Sequence, residues 1–315
     1  MGLGCMGMSG MYGPADESES IATIDAALDA GITLFDTGDF YGMGHNELLL
    51  GRALAGKRER AFIQVKFGAQ RGPDGSWLGF DARPAAVKTS LAYTLRRLRT
   101  DSVDLYQPAR LDPAVPIEET VGAIADLVRA GYVRHIGLSE MGAATIRRAA
   151  KVHPIAQLQI EYSLVSRSVE RDILPAIREL GISITAYGVL SRGLLTGSTP
   201  KGQSDFRAHA PRFLGENAKR NAALAEALAR IAREKGATPV QLAIAWVLSR
   251  GEDVVPLIGA RTRAQLADAL GALRVSLSRE DLSQLERAVS AGAVAGDRYP
   301  SAQMVVLDSE RSAAP

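Results

Sequence analysis

The feature that most limits how this chain can fold is an alternation of short apolar runs with longer helical patterns. The apolar runs have the length and the β-branched content of buried strands. They are Leu3–Met8, Ile32–Phe35, Ala61–Lys66, Val103–Gln107, His135–Ser139, Ile155–Ile160, Ile182–Tyr187 and Val254–Ile258. Apolar residues recur at helical spacing in Ser20–Ala30, Ile117–Ala130, Ala143–Lys151 and Arg171–Leu180. Strands that alternate with helices in this way predict parallel β/α units.

The number of strands decides which parallel architecture is expected. Eight strand candidates in 315 residues fit a closed (β/α)8 TIM barrel, an α/β fold, as one domain over residues 1–315. A doubly wound sheet is the alternative, but it usually has fewer strands per domain. Gly31, Gly131 and Gly181 each stand between a helical pattern and the next strand, where a left-handed residue often ends a helix. We therefore expect these three glycines to be structural.

Two long irregular stretches interrupt the alternation. Gly68–Gly79 is rich in glycine, and Gly188–Gly215 is long for a connection between a strand and a helix. Long loops in a barrel are usually functional. Both stretches follow strands, so we expect them on the C-terminal face of the barrel, where substrates bind.

Composition excludes several classes of function. The net charge of +2 gives no reason to expect nucleic-acid binding. Cys5 is the only cysteine, so neither an internal disulfide framework nor a cysteine metal cluster is possible, and a reducing, cytoplasmic setting fits best. No apolar run reaches the roughly 18 residues of a membrane span. No metal site is predicted, and the sequence does not indicate an oligomeric state.

Two motifs near the N-terminus have tempting functional interpretations. Gly2–Gly7 fits the glycine pattern of a dinucleotide fingerprint, but that pattern must follow a strand and open a helix, which the flanking sequence does not support. A glycine-rich first strand is the preferred interpretation. The acidic cluster Asp16–Ser20 could bind a cation, but acidic residues also favour the first turn of a helix. We expect a helix to begin there.

Charged residues stand where two neighbouring strands end. Asp36 ends one apolar run, Tyr41 follows five residues later, and Lys66 ends the next run. Such residues at the C-terminal strand ends of a barrel are typical of catalytic sites. The alternative is a purely structural ion pair between Asp36 and Lys66. The tyrosine beside them favours chemistry.

The three residue types suit the reduction of a carbonyl group. Hydride addition needs a proton donor, but a free tyrosine has a pKa of about 10. A lysine about 4 Å away would stabilise tyrosinate by roughly 4 kcal/mol at an effective dielectric constant of 20, or about three pK units. We expect Lys66 to activate Tyr41 in this way and Asp36 to hold Lys66. Since no side chain supplies hydride, a bound nicotinamide must.

These residues belong to a set of motifs by which the chain resembles the aldo-keto reductase family over nearly its whole length. The branch that it resembles most contains bacterial and channel-β-subunit-like members. The motifs are Gly2–Met6, Phe35–Gly42, Asn46-Glu47, Val65-Lys66, Val103–Gln107, Gly131–Ser139, Gln159–Ser163 and Gly193–Gly197. The resemblance implies a (β/α)8 barrel, NADPH as cofactor, and a small-molecule carbonyl substrate.

The resemblance also implies roles for individual residues. Asp36, Tyr41 and Lys66 match three members of the family's Asp-Tyr-Lys-His tetrad. Tyr187 matches the aromatic residue beneath the nicotinamide ring, and Arg261 is the expected partner of a 2′-phosphate, which favours NADPH over NADH. The full set of cofactor-binding positions implied is Cys5, Met6, Asp36, Ser139, Glu140, Gln159, Tyr187, Gly188, Leu190, Ser191, Gly193, Gly259, Arg261, Thr262, Gln265 and Asp268.

The chain departs from the family at the fourth tetrad position, where Ala109 stands in place of histidine. His45 and Gln107 are candidates to replace the histidine, although His45 is more typical of a surface loop and strand alternation leaves the direction of Gln107 open. Ala269 replaces an asparagine that usually contacts adenine. The hairpin that usually precedes the first strand is expected to be absent or abbreviated.

Three functional hypotheses remain open. The first is an NADPH-dependent reductase of aldehydes and ketones with Tyr41 as proton donor. The second is a sensor or regulatory subunit that binds NADP(H) with little turnover, which the loss of the histidine would suit. The third is a Schiff-base enzyme that uses Lys66. The candidate substrate-pocket residues are Tyr12, Phe40, Trp77 and Ala109, although ordinary loop packing explains them as well.

Overall fold

Eight parallel strands close into a barrel in the computed structural model, which describes residues 1–202 and 205–311. The described ranges contain ten strands, the eight of the barrel and two of a hairpin: β1 (Gly2–Gly4), β2 (Leu34–Gly38), β3 (Phe62–Phe67), β4 (Ala69–Arg71), β5 (Trp77–Phe80), β6 (Val103–Pro108), β7 (Val133–Ser139), β8 (Ile155–Glu161), β9 (Ser183–Tyr187) and β10 (Val254–Gly259). The barrel order is β1, β10, β9, β8, β7, β6, β3, β2, and β4 and β5 form a separate hairpin. The predicted (β/α)8 barrel is confirmed.

Helices follow the barrel strands and surround them. They are α1 (Glu17–Asp29), α2 (His45–Ala53), α3 (Pro84–Leu98), α4 (Ile117–Arg129), α5 (Ala143–Val152), α6 (Ile173–Glu179), α7 (Gly215–Glu234), α8 (Pro239–Leu248), α9 (Arg263–Leu270), α10 (Arg279–Ala288) and α11 (Ser301–Met304). Their apolar faces pack on the strands through fully buried side chains such as Ile24, Leu91 and Trp246. Each such side chain contributes roughly 1.5–3 kcal/mol when it is buried. No helix of the described ranges is long and apolar enough to span a membrane.

Local sequence explains where several helices begin and end. The Asp16 side chain accepts a hydrogen bond from the Glu19 backbone N–H and caps α1, which confirms that the acidic cluster begins a helix. Thr238 and Gln241 form a capping box at α8. Gly31 and Gly131 adopt φ angles of 84° and 82° directly after helices, as expected of C-terminal glycines.

A layer of polar side chains fills the barrel interior. Asp36 is paired in register with Gln64, and Lys66 with Gln107. Gln64 lies 3.5 Å from Thr185, which belongs to the non-adjacent strand β9, so these side chains reach across the interior. Because paired residues of a sheet share a face, Gln107 also points inward. Its amide oxygen and nitrogen are buried without a hydrogen-bond partner among the described residues.

Two predictions about local structure were wrong. The first strand ends at Gly4 rather than Met8, because the Cys5 N–H bonds to the Asp36 carbonyl and the chain then enters a 3-10 turn over Met6–Ser9. The stretch Gly68–Gly79 is largely the antiparallel hairpin of β4 and β5. These strands have three and four residues, too short to give an alternating pattern among the glycines.

Candidate active site

Asp36 and Lys66 form a buried ion pair at the C-terminal end of the barrel. Lys66 Nζ lies 2.5 Å and 2.6 Å from the two Asp36 carboxylate oxygens. The side chains are 5% and 3% exposed, so water hardly screens the pair. Gln64 and Gln159 also donate to Asp36 Oδ1, at 3.2 Å and 2.7 Å. The carboxylate is thus held in place by three donors from β3 and β8.

Tyr41 lies directly beside this pair, in the turn that follows β2. Lys66 Nζ is 5.1 Å from the centroid of the Tyr41 ring, and Phe40 packs edge-on against the ring. The turn is possible because Gly42 and Gly44 adopt φ angles of 56° and 94°. The Tyr41 hydroxyl makes no hydrogen bond with other described residues, although the residue is 6% exposed. A donor without a protein partner next to a cation is suited to a substrate oxygen.

The electrostatics of Tyr41 differ from the prediction. Burial, followed by the charge of Asp36, raises the pKa of Tyr41 well above its ordinary value of 10. We expected Lys66 to lower it. Since both Asp36 oxygens bind the ammonium group, its charge is largely compensated. Burial also lowers the pKa of Lys66, although Asp36 opposes this. In this structure Tyr41 is therefore a protonated phenol at neutral pH.

Ala109, where the resemblance implies a histidine, is covered by the side chain of the next residue, Arg110. Ala109 is 2% exposed, and its N–H bonds to the Phe67 carbonyl. Arg110 turns back over it, with Nη1 2.6 Å from the Ala109 carbonyl and 3.5 Å from Ser139 Oγ. Sequence analysis missed Arg110, although a charged residue two positions after a strand end was a visible signal.

A buried network of charges covers the barrel mouth. Arg298 binds Glu140 at 2.9 Å and 2.7 Å, and the Ser309 hydroxyl donates to the same carboxylate. Burial would raise the pKa of Glu140, but Arg298 outweighs it and holds that pKa far below its ordinary range. The Tyr187 hydroxyl donates to Glu140 at 2.7 Å and lies 3.0 Å from the Tyr299 hydroxyl. The segment after α10 thus lies over two residues expected to bind nicotinamide.

A second carboxylate, Glu161, organises the loop that follows β9. Arg192 and Arg212 bind its oxygens at 3.2 Å and 3.1 Å, and Arg212 also donates to Ser191. Gly188 and Gly193 adopt φ angles of 66° and 92°, which other residues rarely reach. The backbone of the predicted pyrophosphate loop is therefore fixed by buried arginines that sequence analysis did not identify.

The predicted adenosine-phosphate segment forms the entry to α9. Thr262 caps the helix by accepting from the Gln265 N–H, and the Gln265 side chain accepts from the Arg261 N–H. The Arg261 guanidinium lies 3.1–3.4 Å from the Tyr12, Gly13 and Pro14 carbonyls, and no ion pair of the described chain includes it. Asp268 instead accepts from Thr238 and Gln241, at the start of α8.

Several of the remaining predicted positions lie around the same barrel mouth. Cys5 and Met6 lie at the end of β1, beside Asp36, and Gly259 ends β10. Leu190 begins the turn after β9. Phe40 contacts Tyr41, and Tyr12 lies 5.8 Å beneath the Arg207 guanidinium.

Two candidates lie apart from this site. Trp77 is 44% exposed and packs on Arg71 and Phe80 of its own hairpin. His45 bonds to Ser9 and to Glu17 with a side chain 42% exposed, as expected of a surface residue.

Comparisons with known proteins agree with this geometry. The model of the aldo/keto reductase family matches residues 1–290. The chain is 46% identical over 308 residues to a probable aldo-keto reductase 1 of Glycine max, covering 95% of this chain and 88% of that protein. It is 39% identical over 311 residues to the aldo-keto reductase yakc [NADP(+)] of Schizosaccharomyces pombe, covering 95% and 91%.

Solved structures give the same result. The glycerol dehydrogenase AKR11B4 of Gluconobacter oxydans superposes with a TM-score of 0.83 at 31% identity, covering 92% of this chain and 90% of that one. The holo form of the aldo-keto reductase AKR11C1 of Bacillus halodurans gives 0.74 at 28% identity, covering 93% and 92%. The chain belongs to the aldo-keto reductase family and is an oxidoreductase that acts on carbonyl groups.

Proposed function

We propose that this chain reduces aldehyde or ketone carbonyls to alcohols with NADPH, and that Tyr41 donates the proton. The observation that carries the proposal is the Lys66 ammonium group, bound to both Asp36 oxygens and 5.1 Å from the Tyr41 ring. A phenol with a raised pKa keeps its proton until the substrate oxygen becomes strongly basic. The tyrosinate that remains is then next to a cation, which stabilises it.

The residues of the mouth fit an anionic dinucleotide. The entry to α9 already attracts an anionic group, because the Glu19 carboxylate accepts from the Arg263 N–H and side chain. Arg261 has no carboxylate partner among the described residues and can bind a 2′-phosphate. The positive-φ turn at Gly188 and Gly193 exposes backbone to a pyrophosphate. A full set of candidate ligands is Cys5, Met6, Ser139, Gln159, Tyr187, Gly188, Leu190, Ser191, Gly193, Gly259, Arg261, Thr262 and Gln265.

The chemistry divides between the cofactor and the protein. Bound NADPH supplies the hydride. Tyr41 provides the proton, Lys66 stabilises the resulting phenolate, and Asp36 fixes the position of Lys66. Burial of all three residues keeps water from competing for the substrate oxygen. Because a carboxylate binds the Lys66 ammonium on both oxygens, this lysine is poorly suited to act as a Schiff-base nucleophile.

The experiment that tests this function is consumption of NADPH by the purified chain with a panel of aldehydes, ketones and dicarbonyls. We expect turnover with at least one class and stoichiometric formation of the alcohol. Tight NADPH binding without turnover of any carbonyl would instead indicate a sensor or regulatory subunit. A lysine adduct trapped by borohydride, without oxidation of NADPH, would support Schiff-base chemistry at Lys66.

A further inference from the structure

Arg110 places a guanidinium group inside the barrel mouth. Besides its contacts with Ala109 and Ser139, its Nη2 donates to the Tyr299 hydroxyl at 3.3 Å. Its guanidinium carbon lies 5.9 Å from the centroid of the Tyr299 ring. The group therefore lies between the ends of β6 and β7 and the segment that covers the mouth, on the same face of the barrel as Tyr41.

The charge of Arg110 is not neutralised by a carboxylate. Among the described residues, three other arginines on this face of the barrel are paired with carboxylates: Arg192 and Arg212 bind Glu161, and Arg298 binds Glu140. No ion pair of the described ranges includes Arg110. Because no carboxylate bonds directly to this guanidinium group, it can still form a charge-assisted hydrogen bond with a ligand oxygen.

Arg110 still has hydrogen-bonding capacity for a ligand. A guanidinium group has five N–H donors. In the described chain, three acceptors bind Arg110: the Ala109 carbonyl, Ser139 Oγ and Tyr299 Oη. Two N–H groups therefore have no protein partner. The acceptor at Nη2 is a phenolic oxygen, which demonstrates that an oxygen atom from outside strands β6 and β7 can occupy that position.

Arg110 also acts electrostatically on the proposed proton-donating group. Its charge opposes the rise in the pKa of Tyr41 that burial causes, and it adds to the lowering of the pKa of Lys66. Burial disfavours its own charge, but Tyr187, Tyr299 and Glu140 outweigh this and raise the pKa of Arg110 above its ordinary value. The guanidinium group is thus a permanent cation within electrostatic range of the Tyr41 hydroxyl.

We propose that Arg110 is a second hydrogen-bond donor to the substrate carbonyl oxygen, beside Tyr41, and that the substrate oxygen replaces Tyr299 Oη on the guanidinium. The inference rests on the proposed reductase function. Hydride would come from the reduced nicotinamide of NADPH, whose C–H bond would break as a new C–H bond forms at the carbonyl carbon and the π electrons of the carbonyl move to oxygen. Tyr41 transfers its proton to that oxygen, and Arg110 keeps all of its protons. A preorganised donor of this kind typically contributes about 10²–10³-fold to kcat.

Ala109 has no polar atoms. Gln107 is paired in register with Lys66 and its amide has no partner among the described residues, but it is neutral, so it would stabilise a developing negative charge less than a guanidinium group would. His45 is a surface residue bound to Ser9 and Glu17. An arginine donor also differs from a histidine donor in its response to pH. Arginine keeps its charge between about pH 5 and pH 9, whereas histidine titrates in this range.

The test is a comparison of Arg110→Ala with the matched variant Arg129→Ala. Arg129 ends α4, on the opposite face of the barrel, and its only ion pair within the described residues is an exposed one with Asp126. We expect Arg110→Ala to lower kcat by about 10²–10³-fold, with an NADPH Kd within about two-fold of the unchanged chain. Arg129→Ala should leave both quantities unchanged.

Chemical rescue of kcat distinguishes a hydrogen-bond donor from a residue that is only structural. Guanidinium ion, at concentrations far below those that unfold proteins, should restore part of the lost kcat of Arg110→Ala in a saturable manner, while sodium ion should not. If Arg110→Ala does not fold, Arg110→Lys is the alternative variant, because it keeps the positive charge and the aliphatic part of the side chain. We expect Arg110→Lys to have a lower kcat without a higher KM. An unchanged kcat, a rise in KM alone, or a loss that guanidinium does not restore would overturn the proposal. If the unaltered chain reduces no carbonyl, the proposed function itself fails.

Discussion

The ion pair between Asp36 and Lys66 is a costly arrangement for a protein interior. Burial of two charges usually removes more hydration free energy than their attraction returns. The pair is 3–5% exposed and receives further donors from Gln64 and Gln159. We infer that the pair serves to position Lys66, because a lysine with a fixed orientation would remain beside Tyr41 throughout the proposed reaction.

Asp39, two residues before Tyr41, is a carboxyl group whose environment disfavours its charge. Burial, and then the charge of Glu47, raises the pKa of Asp39 to about 7. One oxygen accepts from the Gly68 N–H at 3.4 Å, and the other is buried without a partner among the described residues. In the unfolded chain the pKa is about 3.9. The folded state therefore binds this proton more tightly, and its stability falls as pH rises from about 4 to about 7.

Asp39→Asn should remove this penalty. We expect the free energy of unfolding to rise by about 2–4 kcal/mol at about pH 8, where the buried carboxylate is charged, and to change much less at about pH 4. Urea denaturation at the two pH values measures the difference. Asp126→Asn, in an exposed ion pair, is the control and should change stability by less than about 1 kcal/mol at either pH. An equal effect of Asp39→Asn at both values would contradict the argument.

The entry to α9 is the element that should decide between NADPH and NADH. The helix is short, but Thr262 and Gln265 fix its first turn, and Arg261 lies against three backbone carbonyls without a carboxylate partner in the described chain. A carbonyl is a neutral acceptor, so a phosphate group would compete for the guanidinium successfully.

Arg261→Ala should weaken NADPH binding selectively. The loss of a charge-assisted hydrogen bond costs about 1.5–3 kcal/mol, which corresponds to a rise in Kd of about 10–100-fold. NADH lacks the 2′-phosphate, so its Kd should change by less than about three-fold. Fluorescence titration with both nucleotides measures this, and Arg129→Ala is again the control. Equal weakening of both nucleotides would assign Arg261 to another part of the cofactor.

The segment after α10 is the element with the least expected position. Arg298 contacts Glu140, which is 158 residues away along the chain. Tyr299 contacts Arg110, which is 189 residues away. Tyr299 also lies 4.3 Å from the Arg192 guanidinium. This segment joins the ends of β6, β7 and β9 across the top of the barrel.

At the scale of the whole molecule, the barrel was predictable because its signals are local. The hydrophobic period of each strand and helix is visible within about ten consecutive residues. Closure of the barrel follows from the number of strands. Asp36, Tyr41 and Lys66 were predictable for the same reason, since strand ends are visible in the sequence. The hairpin of β4 and β5 was missed because Gly75 and Gly79 obscure so short a pattern.

The rest of the site depends on contacts that no local pattern encodes. Arg298 and Tyr299 reach Glu140 and Tyr187 only once the barrel has closed. The direction of the Tyr41 pKa also depended on the structure, because the sequence does not indicate how completely Asp36 compensates Lys66 or how deeply the phenol is buried. The sequence thus predicted the proposed proton-donating group, and the fold determined the charges around it.

The most direct measurement is the kcat of Tyr41→Phe with a carbonyl substrate that the unaltered chain reduces. The substitution removes one hydroxyl and keeps the ring that packs on Phe40. We predict a fall in kcat of about 10²–10⁴-fold, as expected for the loss of a general acid, with the NADPH Kd and the thermal midpoint nearly unchanged. A variant that retains more than about one tenth of kcat would contradict the assignment of Tyr41 as the proton donor.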